Sequence, residues 1–585
     1  MSDWFIHSDA LAQIAILIAI IWFLMRPVGV YIANVLDGKN IRFWRYSLQP
    51  LEQIFYRLSG VDHNENMSWR KYAITLLCLN FFAFLLLYAV VRLQDFLPMN
   101  SAALPGVSSD LAFSIAASFI SGSNWQNYAG ETTLSMGVQI FGIGVQYFIA
   151  AANSIAVFAA FMRGFIFNNQ DGIGNFWADI TRVSIYILFP IAIIFAGIFA
   201  SQDVVQTLSN PRTVPFLQSV QNEKGEIIHD QLLVFGPLAS QTAAKFLGGG
   251  GGYYNASAAH PFATPTPLVA FLQIILMLLL PAALCCSVGH MIGDARQGWN
   301  MAAVMLFLLL PVIYFALIFE QNKIPFIQNI AQNLPAQITG NMEGKELRHG
   351  VVLTTIWTII STATNDATTL ACYDSLHPLT NFLLLLIIKS GSVIFGAAGI
   401  GISLLILYIF LAVFVSSLLV GKTPKYLGKK IGNFEISMVA MIFAAPIFTS
   451  LISLAVFVSL ENINENLVNP GAHGFTELLF ATISSAHNNG NLLPSLISNN
   501  PLINIVLAMV QIFSRFVVII GLLAIAGSFA GKNKISSAKN IWQNHNVFFI
   551  FFVVMTVLVI TFAYLPLLAL GPISEYVSLF GSALK

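Results

Sequence analysis

The chain has 585 residues, 57% of them hydrophobic and 9% charged, with a net charge of +1 and a mean hydropathy of +0.77. Soluble domains carry about 25% charged residues, so a soluble globular fold is excluded. The near-neutral balance gives no basis for nucleic-acid binding.

Apolar runs close to twenty residues recur from end to end, the length that crosses a hydrocarbon core of about 30 Å. The first run has Asp3 and Asp9 before it and Arg26 towards its end. That is the reverse of a secretory signal, so it is read as a retained span with its N-terminus outside. Spans are predicted at 10–32, 71–92, 132–162, 180–200, 267–291, 300–319, 379–418, 435–459, 500–529 and 547–570. One set of loops holds most of the basic residues, among them Lys39, Arg42, Arg163, Arg182, Lys422, Lys425, Lys429 and Lys430. Basic loops stay cytoplasmic, so both termini are expected outside. Cys78, Cys285, Cys286 and Cys372 form no CxxC pair and suggest neither a disulfide framework nor a zinc site.

Four of the expected outer loops share a second feature. Each holds a semi-apolar stretch too short to cross, then a polar small-residue segment, then another span. The segments are SFISGSNWQNYAGE (118–131), FLGGGGGYYNASAAHPF (246–262), STATNDATTLACYDS (361–375) and SSAHNNGNLLPS (484–495). Fourfold repetition of span, half-helix, polar turn and span predicts an all-α polytopic protein of about ten transmembrane helices around one selectivity filter. The expected units are 1–66 (first span and loop), 67–165, 166–295, 296–431 and 432–532 (the repeats), and 533–585 (last span).

Non-helical backbone at membrane depth must be buried in protein or line a watery path. A half-helix entering from outside aims its negative C-terminal end at the bilayer centre, which favours a cation there. The turn beyond it offers carbonyls, hydroxyls and amides that replace the water shell of a weakly hydrated cation such as potassium. The candidate filter residues are Ser121, Gly122, Ser123 and Asn124 in the first turn and Gly249, Gly250 and Gly251 in the second. Thr364, Asn365, Asp366 and Ala367 form the third, and His487, Asn488, Asn489 and Gly490 the fourth.

Several further segments carry a resemblance to a known family: SNWQNYAGETTLS (123–135), GPLASQTAAKFLG (236–248), YYNASAAHPFATPTP (253–267), VGKTPKYLGKKI (420–431), NPGAHGF (469–475), AIAGS (524–528) and ALGPISEY (569–576). In collinear order over essentially the whole chain, they resemble the potassium-binding A subunits of Kdp-type potassium-transporting ATPases. The resemblance implies a potassium-binding and translocating subunit of a high-affinity, ATP-driven uptake system in the bacterial inner membrane. The chain would be no enzyme by itself and would bind no cofactor, only K+ as substrate. A P-type ATPase catalytic subunit would hydrolyse ATP, with a single-span accessory subunit and a very small peptide subunit as further partners. The glycines Gly396, Gly399 and Gly401 would break the seventh span into a gate, with Lys389 and Lys422 along the ion path.

Within that resemblance some turn residues differ from the family pattern. The second turn is all glycine where Thr-Asn is usual, and the first reads Ser-Gly-Ser-Asn in place of Thr-Asn-Thr-Asn. Ala367 stands for a glycine, Asp366 for a small neutral residue and His487 for an amide. A Cβ at 367 resists positive φ. Asp366 is expected either to add charge to the filter or to turn away as a cap.

The Gly421-Lys422-Thr423 triplet lacks the glycine a phosphate-binding loop needs five residues earlier, where Ser416 stands, so nucleotide chemistry belongs to a partner. Lys389 and Arg515 lie within predicted spans, where a charge faces a cavity or a partner. The competing readings are an autonomous channel or symporter of the same superfamily and a diverged paralogue with altered selectivity. No nucleophile–base or metal-ligand constellation supports an enzyme.

Overall fold

The computed structural model describes residues 8–39, 47–221, 225, 227–321, 340–419, 421–464, 467–496, 499–534, 553–554 and 565–580. Among these, nine helices are long and apolar enough to cross a membrane: Ala10–Leu36, Trp69–Arg92, Val138–Ile166, Phe176–Ser201, Pro267–Ile292, Ala295–Gln321, Ile400–Leu419, Asn433–Ser459 and Pro501–Ala530. The expected last span, 547–570, lies mostly outside the described residues. The expected seventh span, 379–418, is broken, as the resemblance implies, into Pro378–Lys389 and Ile400–Leu419. The break falls before Ile400, and Gly401 lies inside the second helix. Between the two helices Gly391, Ser392, Phe395, Gly396 and Gly399 all take positive φ, which no right-handed helix can continue through.

Four shorter helices, Ser109–Ser121, Leu238–Lys245, Gly350–Ala363 and Ala472–Ala486, each sit between two spans and end in a polar turn. The fold is therefore an all-α polytopic membrane architecture of four span–pore-helix–span repeats, with β-structure confined to loops. In three repeats the chain starts its return span in one way. Thr266-Pro267, His377-Pro378 and Asn500-Pro501 each pair a capping side chain with proline in the first helical turn. The cap satisfies a free amide, and proline has none to satisfy.

Burial sorts the spans into two rings. The helices that follow a polar turn are 83% (Val138–Ile166), 83% (Pro267–Ile292), 67% (Ile400–Leu419) and 50% (Pro501–Ala530) buried. Those that precede one are only 28–44% buried, so they form the lipid-facing layer. The first span, Ala10–Leu36, packs from outside on Pro267–Ile292. Ser287 Oγ donates to Gly29 O at 2.8 Å, and a Cβ on Gly29 would stand 2.7 Å from Cys286 Cβ. Only a small residue permits that approach. An antiparallel hairpin, Arg212–Gln221 with Ile227–Leu233, rises from the loop before the second pore helix. Neither strand alternates polar and apolar residues, so the hairpin has no period-2 signal in the sequence.

On the side opposite the pore helices, charges bind the bundle together. Arg163 makes a two-pronged pair with Asp179 (2.6 and 2.7 Å), donates to Leu36 O, and shares Asp179 with the Tyr72 hydroxyl. Four spans meet at this pair. Lys429, one of the basic loop residues, is buried, and its ammonium donates to the carbonyls of Phe167, Phe529 and Lys532. Lys532 in turn pairs with Glu435 at 2.6 Å.

Asp179→Asn leaves the Arg163 guanidinium buried without its counter-charge and should destabilise the chain by about 3 kcal/mol. The check is the thermal unfolding midpoint in detergent, and the R163M/D179N double variant should recover most of the loss.

Candidate ion-binding site

The four pore helices end alike. The amides of Ser123, Gly250, Asp366 and Asn489 reach back five residues to the carbonyls of Ser118, Lys245, Ser361 and Ser484, at 2.8–3.0 Å. Such a wrap needs a left-handed residue just before the bonded amide. Gly122 (φ 70°), Gly249 (94°), Asn365 (55°) and Asn488 (50°) supply it. Glycine and asparagine are the residue types that tolerate this region, which is why these turns read as glycine- and asparagine-rich. The fourth position is left-handed again in Asn124 (51°), Gly251 (100°) and Gly490 (84°), but not in Ala367.

These bonds align the repeats residue by residue and bring the expected turn residues together. Asn124 Nδ2 donates to Gly248 O (2.9 Å) and Gly250 O (3.2 Å), joining the first turn to the second. Ala367 N donates to Gly249 O (3.0 Å) and Thr368 Oγ1 to Gly251 O (3.1 Å), joining the second to the third. Asn365 Nδ2 reaches His487 O (3.1 Å), and Asn489 Nδ2 returns to Thr362 O (2.8 Å), joining the third to the fourth. Gly490 closes the ring, since a Cβ there would collide with Ser123 O. Each carbonyl that accepts one such bond keeps a second lone pair.

Not every side chain faces the ring. Ser121 Oγ and Thr364 Oγ1 turn back to carbonyls of their own helices, Ser118 O and Ile360 O. Asp366 turns away as well. Its Oδ1 accepts from Thr368 N at 3.2 Å and packs on Gly250, where a Cβ would strike it. The carboxylate accepts from a loop amide and caps no helix, Gly250 leaves the room for it, and the residue also borders the first cavity below. Lys245, buried at the end of the second pore helix, acts on this carboxylate electrostatically and lies 4.9 Å over the Phe246 ring.

Beneath the ring lie two cavities that share Arg515. One is lined by Gly122, Ser154, Gly249, Thr364 and Ala397, the other by Asn365, Lys389, Ser392, Tyr408 and His487. The Arg515 guanidinium donates to Ser154 Oγ at 2.6 Å and lies directly under the first turn. Segment 390–399 forms the floor of the third turn. Gly396 N donates to Ala363 O (2.9 Å), and Ser392 Oγ accepts from Asn365 Nδ2 (2.7 Å). Gly396, Gly399 and Lys389 therefore come to the site. Lys422 does not: it is exposed beyond the far end of Ile400–Leu419 and lines neither cavity.

Above the fourth turn, on the pore-helix side, His473 joins three carboxylates from three segments. Its Nδ1 is 2.8 Å from Glu575 Oε1, and its Nε2 is 3.5 Å from Asp374 Oδ1 and 3.7 Å from Glu477 Oε1. Burial alone would disfavour the charged ring, but the bonds to Asp374 and Glu575 outweigh it and push its pKa up to about 10.

Residues 15–577 match the family model described as "Potassium-transporting ATPase A subunit". A potassium-transporting ATPase potassium-binding subunit of Herpetosiphon aurantiacus is 41% identical over 577 residues, covering 98% of this chain and 99% of that protein. One of the same description from Chromobacterium violaceum is 38% identical, covering 98% and 100%. Among solved structures, the potassium transporter TrkH from Vibrio parahaemolyticus shares the fold with a TM-score of 0.50 at 12% identity, covering 86% of this chain and 98% of that one.

Two outcomes follow from this geometry. Gly250→Ala puts a side chain on a residue at φ 85° and into Asp366, so it should cost about 2 kcal/mol or more by thermal unfolding. Gly197→Ala, in a helix with open space around it, should be neutral or slightly stabilising in the same assay. The His473 pairs hold a folded-state pKa above the ordinary value of about 6.5, so their stabilisation is complete below that pH and is lost as pH rises through about 10. His473→Gln should remove that fall from a profile of unfolding midpoint against pH.

Proposed function

The chain belongs to the family of potassium-transporting ATPase A subunits, and from that premise we propose that the ring of four turns is a potassium selectivity filter. On this reading the chain is the potassium-binding and translocating subunit of an ATP-driven, high-affinity uptake system. The observation that carries the proposal is the ring itself: four pore-helix C-termini with equivalent left-handed turns, hydrogen-bonded in sequence from the first to the fourth, which in turn closes on the first at Gly490. Converging helix C-termini favour a cation, and ordered carbonyls and amides replace its hydration shell without reorganising.

The chain's own groups divide the work. The turns dehydrate and hold potassium on the extracytoplasmic side. Arg515 and Lys389 set an electrostatic barrier beneath it. Segment 390–399 is the gate, because its glycines let it move without unwinding either neighbouring helix. ATP hydrolysis resides on a P-type catalytic subunit, with a single-span accessory subunit and a small peptide completing the complex in the bacterial inner membrane. Both termini of this chain are extracytoplasmic.

The test is to purify the chain with the ATPase subunit encoded beside it and to follow ATP hydrolysis against potassium, rubidium and sodium. Potassium should stimulate at low concentration and sodium should not. Gly250→Asp should raise the half-stimulating potassium concentration at least about tenfold. Potassium flux through the chain alone, with no effect of an ATPase partner, would replace this reading with an autonomous channel.

A further inference from the structure

The loop after the first span holds a helix, Gln49–Ser59, too short to cross a bilayer. Pro50 lies in its first turn and Gly60, left-handed at φ 64°, ends it, so it forms a separate rod about 16 Å long. Its side chains divide into three faces. Glu52 and Tyr56 turn to the protein. The Glu52 carboxylate accepts from Arg182 Nε (3.1 Å), the Tyr186 hydroxyl (2.6 Å) and the Tyr56 hydroxyl (2.8 Å), and Tyr56 stacks on His63. Gln53 and Arg57 form an exposed polar face. Leu51, Ile54, Phe55 and Leu58 form the third, at the i, i+3, i+4 and i+7 spacing of a single helical stripe. These four side chains are 40–84% exposed.

Scattered exposed apolar residues are ordinary on a protein surface, but a whole exposed apolar face marks an interaction. The surroundings identify what covers it. The Glu52 bonds hold the helix against the beginning of the span Phe176–Ser201, at Arg182 and Tyr186. Trp177 lies at the start of that span. Trp69 opens the span Trp69–Arg92, with the Arg70 guanidinium 5.6 Å from its ring. Tryptophan beside basic residues is the composition of a membrane–water boundary. Just beyond Tyr186, the same span exposes Phe189, Ile193 and Ile194 (47–59%) as part of the lipid-facing layer. The helix therefore sits at the rim of that layer, and its apolar face continues it.

We propose that Gln49–Ser59 is an interfacial helix, with its apolar face set into the acyl boundary of the bilayer leaflet on the side opposite the pore helices. Leu51, Ile54, Phe55 and Leu58 enter the acyl region, and Gln53 and Arg57 stay among the headgroups and water. Lipid thereby removes four apolar side chains from water. Through the Glu52–Arg182 pair, the helix fixes the height of the fourth span against the membrane surface. The inference stands independently of the filter reading.

The experiment places the full-length chain, alone and in complex with its ATPase subunit, in nanodiscs of phosphatidylethanolamine and phosphatidylglycerol. A fraction of the lipid carries a photoactivated carbene precursor on its acyl chain, and mass spectrometry locates the labelled residues. Label should fall on Leu51, Ile54, Phe55 and Leu58 in both samples and not on Gln53 or Arg57. The Ile54→Asp/Leu58→Asp double variant should lose the label from this helix while keeping it on Trp69–Arg92, which shows that the variant is folded in the bilayer. Label present on the chain alone and lost in the complex would overturn the proposal, because a partner subunit then covers the face. Absence of label from the helix in both samples would overturn it too. So would label that persists in the double variant, since the apolar face would not then set the contact.

Discussion

Backbone at membrane depth has no water to bond to, and each polar group left bare costs several kcal/mol. The four polar turns meet that constraint by pairing with one another. Asn124 bonds two carbonyls of the second turn, Ala367 and Thr368 bond two more, and Asn365 and Asn489 tie the third turn to the fourth. Each turn adds such cross-repeat bonds to those its amides make with its own pore helix. The bonds between turns form only once neighbouring repeats are in place. The small residues in the turns serve this closeness, because most larger side chains would force the neighbouring backbones apart.

The layers around the ring extend the same logic. Each return span is more buried than the span that precedes its pore helix, so the helices that wall the turns are shielded from lipid by the outer layer. The break at 390–399 is held from above by the third pore helix through Ala363 O and by Asn365. A change at the third turn and a movement of this segment are mechanically linked. On the pore-helix side, His473 draws Asp374 of the third repeat, Glu477 of the fourth and Glu575 of the C-terminal helix into one cluster. Arg163 with Asp179, and Lys429 with three carbonyls, perform the corresponding service at the other end.

Much of this was legible in the sequence because it depends on local chemistry. Span length and apolarity identified nearly every crossing helix, and the glycine- and asparagine-rich segments marked the four turns because left-handed backbone restricts the residue type. What depends on distant residues was not legible. Asp366 left two orientations open, and the choice is made by the missing side chain at Gly250 in another repeat. Lys429 reads as one residue of a basic loop, yet the fold delivers three carbonyls to it from two other segments. Lys422 came to the ion path by the family resemblance, and it lines neither cavity beneath the ring. The break in the seventh span was legible in its glycines and in the family resemblance and not in hydropathy, because apolarity persists across 390–399; that Ser392 and Phe395 also take positive φ was not legible.

The central claim is that the ring of turns is where the cation sits. It is tested most directly by an experimental structure of the purified chain in a rubidium salt, with anomalous scattering used to locate the ion. The account predicts a peak enclosed by Ser123, Gly249, Asn365 and Asn488, above Arg515. An ordered ring without a peak, or rubidium bound only elsewhere, such as among Asp374, His473 and Glu477, would contradict it.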